Sequence, residues 1–513
     1  MFTTLNHKVF WIPFFLVLLS LFLSAIQPEL FLDKTTQANN WILKNFGILF
    51  SWSTFVFLIL LVVIYFSPLG SVRIGGENAK PILSKWKWFS ITICTTIATG
   101  ILFWGAAEPL THMHAPPAGL GFEKASTGAQ DFAMSTMFMH WTFSPYGIYT
   151  VGGLLFALCF YNFKQKFSLG ALFFPLMGKP VEGNLAHGID AICLYSLVAG
   201  MAASLGTGML TISGGMNAVF GMTQTTFLLG MIGLVIVATF IASSVSGLKK
   251  GIQILSDINI KIFFGLAIFV FITGPTLEML TFGWNGLKDY VIHFIPRSLS
   301  LGNEIDDAWR NGWTTFYFAN WMAWAPISTL FLGFLSVGYR VRTFIHFNLI
   351  FPSLFSLLWM TIISGTTMSI DLSFGEAFPL NQVMAEEGVQ GVIFGLLNYL
   401  PWEGVASVVF LFATFLSFVT AADSNTTAMS NISNHGISPE NPESPLATKI
   451  IWGVLIGGIS FVMVSLSGID GVKMLSNLGG FPALWLFMFV GLSLGKLVWK
   501  SFTDIDFFDG KQS

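Results

Sequence analysis

The stretch WTTFYFANWMAWAPIS, residues 313–328, lies inside a long apolar segment but lacks the composition of a lipid-facing helix. A helix that meets lipid gains from Leu, Ile and Val. It gains nothing from Trp321 and Trp324, three apart and so on one helix face. Asn320 adds an amide beside them, and Pro326 removes a backbone donor in mid-membrane. The groups a proline frees there must be satisfied inside protein. Two readings fit: a packed aromatic core or interfacial belt, or a substrate pocket at membrane depth with an aromatic wall.

Composition sets the class. The chain has 513 residues, 54% hydrophobic and only 10% charged, where a soluble protein would be roughly a quarter charged. This is the balance of a polytopic membrane protein in contact with lipid. The formal net charge of −2 gives no reason to expect a nucleic-acid partner. Cys94, Cys159 and Cys193 all lie in apolar segments and read as free buried thiols. The first apolar run lacks a small-residue cleavage pattern and reads as a retained helix.

Windows of roughly 20 apolar residues predict an all-α fold of twelve transmembrane helices. They fall at 9–27, 46–67, 88–110, 133–161, 189–219, 226–246, 254–276, 313–337, 344–366, 404–429, 449–467 and 477–499. The fifth carries GMAASLGTGML (200–210) followed by Gly214 and Gly215. Small residues allow close helix approach in lipid, which predicts a central helix. Basic residues mark one set of loops: Arg73, Lys80, Lys85 and Lys87; Lys164, Lys166 and Lys179; Lys249 and Lys250; Arg340 and Arg342. The opposite loops are acidic, with Glu304, Asp306, Asp307, Asp371, Glu376, Glu386 and Glu387. The positive-inside rule then places both termini in the cytoplasm.

Residues 284–297 (WNGLKDYVIHFIPR) read as an amphipathic connector at the interface, and 381–400 as an external helix. The connector divides the chain into five regions. These are two N-terminal helices (1–87), a first set of five helices (88–276), the connector (277–312), a second set of five (313–499) and a short tail (500–513). Five spans per set put the two sets in opposite orientations. Both are expected to open with an interrupted helix, at CTTIATG (94–100) and at Pro326. Paired interruptions of this kind point to a transporter's midplane site.

The fourth helix holds HWTFSPYGIY, 140–149, with Trp141, Tyr146 and Tyr149 at helical spacings. Set beside Trp321 and Trp324, they make two aromatic clusters on two membrane helices. Aromatic faces attract cations, and a quaternary ammonium has no N–H to be held otherwise. Core packing gives the same spacing, so spacing leaves the choice open.

HWTFSPYGIY, WTTFYFANWMAW, FWGAAEPL (103–110), GIQILSDIN (251–259) and FVTAADSNT (418–426) together resemble the betaine–carnitine–choline transporter family, in the family's order and across nearly the whole chain. The resemblance implies a LeuT-like 5+5 inverted repeat with two extra N-terminal helices. It also implies a homotrimer in the cell inner membrane and transport of quaternary-ammonium compounds such as glycine betaine, choline or carnitine. By motif, Trp141, Tyr146, Tyr149 and Trp321 match the family's aromatic box. Trp324 matches its gating tryptophan, and Trp104 an aromatic facing the site. Asn320 departs from the second tryptophan common there. It either hydrogen-bonds substrate or bonds a neighbouring helix. A substrate carboxylate has two candidate partners: Asn320, and a backbone amide of the interrupted third helix, at Ile97 or Ala98.

The resemblance also bears on coupling. Sodium-coupled members pair a glycine-rich third-helix segment with Thr-Ser in the tenth helix; here Thr420 is kept and Ala421 lacks the hydroxyl. Their second sodium position aligns with Leu197 and Met201, which offer no oxygen, whereas a hard cation wants several. Sodium-independent exchange or proton coupling is therefore expected, with a sodium-coupled symporter of betaine or an amino acid as the alternative. Exchangers carry an arginine where this chain has Asn259. Lys261 is two residues on, about 200° round the helix, so it does not simply substitute and reads rather as snorkelling to the cytoplasmic interface. Asp423, Glu108 and His140 are proton candidates as intramembrane ionisable groups. Glu108 and Asp423 also fit structural roles near helix ends. The short acidic tail, with Asp504, Asp506 and Asp509, contrasts with the long basic tails of osmotically regulated members and suggests a nutrient or metabolic role.

An enzyme is not expected. HExxH is absent from the sequence, no metal cluster or cofactor motif appears, and His112 and His114 are expected in an external loop. Twelve unlike helices do not suggest the symmetric rings of a channel.

Overall fold

The computed structural model describes residues 4–96, 100–245, 251–302, 304–437, 444–504 and Phe508. Their architecture is all-α. Apart from two single bridges, Leu5 with Asn434 and Arg73 with Arg340, no strand pairing occurs among the described residues. The principal helices are α1 (His7–Ile26), α2 (Pro28–Phe66), α3 (Lys85–Thr96), α4 (Gly100–His114), α5 (Thr127–Trp141), α6 (Phe143–Ala157) and α7 (Gly183–Phe220). They continue with α8 (Thr226–Val245), α9 (Gly251–Thr273), α10 (Thr276–Ser298), α11 (Phe316–Phe334), α12 (Phe351–Ser373), α13 (Glu403–Ile432) and α14 (Leu446–Thr503).

Among the described residues, nine helices are long and apolar enough to cross a membrane, or ten if the bent pair α3–α4 is one span. Two expected spans explain the difference from twelve. The eleventh and twelfth form one run, α14, which breaks at Gly468 (φ 52, ψ −129). The eighth is α11, whose Asn320, Trp321, Trp324 and Pro326 lower its hydropathy below that of the others.

The helix breaks position the site. The expected interruption at 94–100 is a 55° bend between α3 and α4. A second break separates α5 from α6 at Thr142 (φ −116, ψ −120). Pro145 explains it: without an N–H, it cannot close the bond back to Trp141. The expected interruption at Pro326 does not occur, because α11 runs helical through it from Phe316 to Phe334. The irregularity there lies earlier, in a wider turn over Asn311–Thr315. The expected helix over 381–400 is likewise two pieces, Pro379–Glu387 and Val392–Leu397, parted at Gly388 (φ 83).

The glycine-rich helix α7 is central. From 196 to 215 it is buried at every residue except Ser204. It packs against α11, α13 and α14. Close approach on this face has a steric cause: a Cβ on Gly206 would come 2.7 Å from Val464 of α14, and one on Gly208 2.5 Å from Phe418 of α13. The helix α10 lies against α5 and α12 with Trp284, Val291 and Ile292 exposed.

Candidate functional site

Two breaks, between α3 and α4 and between α5 and α6, and one close helix crossing bring the aromatics together. Trp141 ends α5, Tyr146 and Tyr149 lie on the first turns of α6, and Trp321 faces them from α11. The Trp321 ring lies 5.8 Å from Trp141, 5.4 Å from Tyr146 and 5.1 Å from Tyr149, centroid to centroid. The rings are inclined at 74°, 64° and 58°. These are edge-to-face and tilted contacts of rings packed on one another. All four are buried.

Trp141, Tyr149 and Trp321 line one cavity of about 50 Å³, room for a few water-sized groups. Tyr146 stands behind Trp321, its hydroxyl 3.2 Å from Ser356 Oγ. Trp324 and Trp104 are on the wall too, as is Gly100 at the start of α4. Asn320 is on the wall and also bonds a neighbouring helix: its Oδ1 accepts from Ser476 Oγ at 2.9 Å. Trp321 Nε1–H has no partner among the described residues. Ile97 and Ala98 lie outside the described residues.

Behind this wall is a hub that sequence reasoning noticed only in part. Glu108 Oε2 accepts from Trp141 Nε1 at 2.7 Å and from the Tyr317 hydroxyl at 2.6 Å. Glu108 Oε1 lies 2.6 Å from His140 Nδ1 and 3.1 Å from His112 Nε2. His140 Nε2 meets Thr314 Oγ1 at 3.0 Å, and its ring stacks on Tyr317 at 4.6 Å. Among the described residues, Glu108, His112 and His140 are the one His–carboxylate group compact enough to ligate an ion. The 2.6 Å contact between His140 and Glu108 is a short hydrogen bond. The same carboxylate holds Trp141 through its indole N–H.

The expectation that His112 and His114 sit in an external loop fails. They close α4, with His112 fully buried on Glu108 and His114 Nε2 2.6 Å from Asp371. The signal was available: Glu108 and His112 are four apart on a helix, as are Trp313, Tyr317 and Trp321.

The profile of the betaine/carnitine/choline family transporters matches residues 8–502. The chain belongs to that family. An ectoine/hydroxyectoine transporter of Virgibacillus pantothenticus is 30% identical over 498 residues, 97% of each chain. A glycine betaine/proline/choline/ectoine transporter of Vibrio parahaemolyticus is 31% identical, over 96% of this chain and 87% of its own. A solved sodium-coupled sialic acid symporter covers 86% of this chain at 14% identity and a TM-score of 0.43, too loose a likeness to decide anything. This chain is therefore a multi-pass membrane transporter and not an enzyme.

Of this family member's coupling candidates, Thr420 and Asp423 lie one turn apart on α13, and Asn259 reaches the same helix. Asn259 Nδ2 donates to Ser417 Oγ at 2.8 Å, tying α9 to α13. Lys261 is exposed and paired with Asp257 at 2.6 Å. Asp423 is buried and accepts from Ser243 Oγ at 2.6 Å. The Thr420 hydroxyl donates to the Leu416 carbonyl at 2.7 Å, while its neighbour Ala421 is on the cavity wall. The wall also holds hydroxyls that sequence alignment did not single out, Ser204 and Thr207 on α7.

Proposed function

We propose that this transporter moves a quaternary-ammonium compound of the betaine, choline or carnitine type across the cytoplasmic membrane. It works by alternating access and without sodium, as an exchanger or with protons. The observation that carries the substrate class is the cavity wall: six aromatic side chains, and no Asp, Glu, Lys or Arg among its described residues. A desolvated cation gains about 0.5–2 kcal/mol from each face, and a methylated one has no N–H left unsatisfied. The N-terminus of α4 at Gly100 adds a positive helix end on the same wall, suited to a carboxylate.

Independence of sodium rests on the apolar Ala421, Leu197 and Met201. Sodium coupling is the second reading, and one observation favours it: the hydroxyls of Thr95, Thr96, Ser204 and Thr207 surround the same cavity near Ala421. Cytoplasmic termini are supported by the loop charges, and a homotrimer by family resemblance.

The test is uptake of radiolabelled glycine betaine, choline and L-carnitine into proteoliposomes. Each is run with and without sodium, a pH gradient and internal substrate. Uptake without sodium is expected for at least one compound. A strict sodium requirement selects the second reading, and no uptake of any of them sinks the substrate class.

A further inference from the structure

The substrate cavity meets a wider vestibule of about 480 Å³ at Phe316, which lines both. In the orientation proposed above this vestibule faces outward. Lys473 of α14 is on its wall, next to Val472 on the cavity wall. Its Nζ lies 4.0 Å from the Trp313 centroid, 5.3 Å from Phe316 and 5.6 Å from Trp104. The acidic groups that act on it are Asp470, exposed on the same vestibule wall, and Glu108 behind the rings. Glu108 already receives Trp141, Tyr317, His112 and His140. No ion pair of Lys473 occurs among the described residues.

A lysine paired with a carboxylate presents little net charge. A lysine held over ring faces has no counter-charge in contact with it, because the rings are neutral. The Lys473 ammonium therefore stands at the neck between vestibule and cavity as a cation without a paired carboxylate among the described residues, where low-dielectric walls focus its field.

We propose that Lys473 is a specificity-determining residue that disfavours substrates of net positive charge and favours zwitterions bearing a carboxylate. The inference rests on the quaternary-ammonium reading of the cavity. Choline and glycine betaine share the same trimethylammonium head, so an aromatic box cannot separate them. Discrimination has to act on the other end of the molecule, and Lys473 repels the net cation while attracting the carboxylate. The cavity continues the pattern. Asn320 Oδ1 accepts from Ser476 Oγ, its NH2 is a donor, and Trp321 Nε1–H is unpartnered among the described residues.

The test compares uptake of choline and glycine betaine by the wild type, Lys473→Gln and Lys473→Arg in proteoliposomes. Lys473→Gln is expected to raise the choline-to-betaine ratio about tenfold, and Lys473→Arg to keep it within about twofold. An unchanged ratio in Lys473→Gln overturns the proposal. A second measurement needs no substrate. Ser467, also on the vestibule wall, is replaced by cysteine in the full chain, whose native cysteines are buried. Its modification by cationic and anionic methanethiosulfonates is then timed. Lys473→Gln is expected to shift the rate ratio about fivefold towards the cationic reagent; equal ratios with and without Lys473 overturn the proposal. A wild type that takes up no quaternary ammonium sinks the substrate reading, while the thiol rates still judge Lys473.

Discussion

Trp321 is the residue on which the cavity turns. It touches Trp141, Tyr146 and Tyr149, and it stands on the wall itself. Replacing it with leucine removes the face that three other rings surround while keeping an apolar side chain in the gap. Trp321→Leu is expected to abolish binding of every trimethylammonium compound, measured by calorimetry on purified protein that retains its melting behaviour. Affinity surviving within about threefold, a loss under roughly 0.7 kcal/mol, would remove the box assignment. The motifs made Trp141, Tyr146, Tyr149 and Trp321 legible. They did not make Lys473 legible, because it stands in no pattern that distinguishes it from core or surface, and the four-residue spacing of Tyr317 from Trp313 and Trp321 did not name its partner. Their partners lie 209 residues away for Tyr317, whose hydroxyl meets Glu108, and on two other helices for Lys473.

Helix breaks convert those residues into a wall. The α5–α6 break leaves the Trp141 indole free to reach across to Glu108 on α4, and Gly100 lets the start of α4 pass over the same ring. A Cβ on Gly100 would come 2.5 Å from Trp141 Cη2 and 2.8 Å from Cζ3. The indole is held on its other edge by Glu108, so it has little room to yield. Gly100→Ala is therefore expected to weaken substrate binding at least tenfold, about 1.4 kcal/mol, with a smaller loss in thermal stability. Wild-type affinity in that variant would mean that Trp141 does not set the pocket's shape. Proline spacing exposed one break and misplaced another. Pro145 parts α5 from α6, yet Pro326 sits inside an unbroken α11. A proline costs a helix one bond, and packing around α11 absorbs that cost; the local sequence does not say where it can be absorbed.

Across the molecule, ion coupling depends on which oxygens three separate helices bring to one place. Ala421 of α13 shares the cavity wall with Thr95 and Thr96 of α3 and with Ser204 and Thr207 of α7. A cation of sodium's hardness wants several such oxygens. Ala421→Ser supplies one more. On the sodium-independent reading, uptake by Ala421→Ser in proteoliposomes is expected to remain indifferent to sodium, because Leu197 and Met201 still offer none. A sodium dependence appearing in that variant would show that a single hydroxyl was all the site lacked.

Hydropathy and loop charge were enough to read a polytopic all-helical membrane protein, and spaced motifs were enough to place it in its family, because burial in lipid and family signatures are both written along the chain. The Glu108 hub, the hydroxyls around Ala421 and the unpaired cation over Trp104, Trp313 and Phe316 were not readable in that way. Each is a meeting of side chains from helices far apart in sequence, and it exists only once helix packing has fixed their distances.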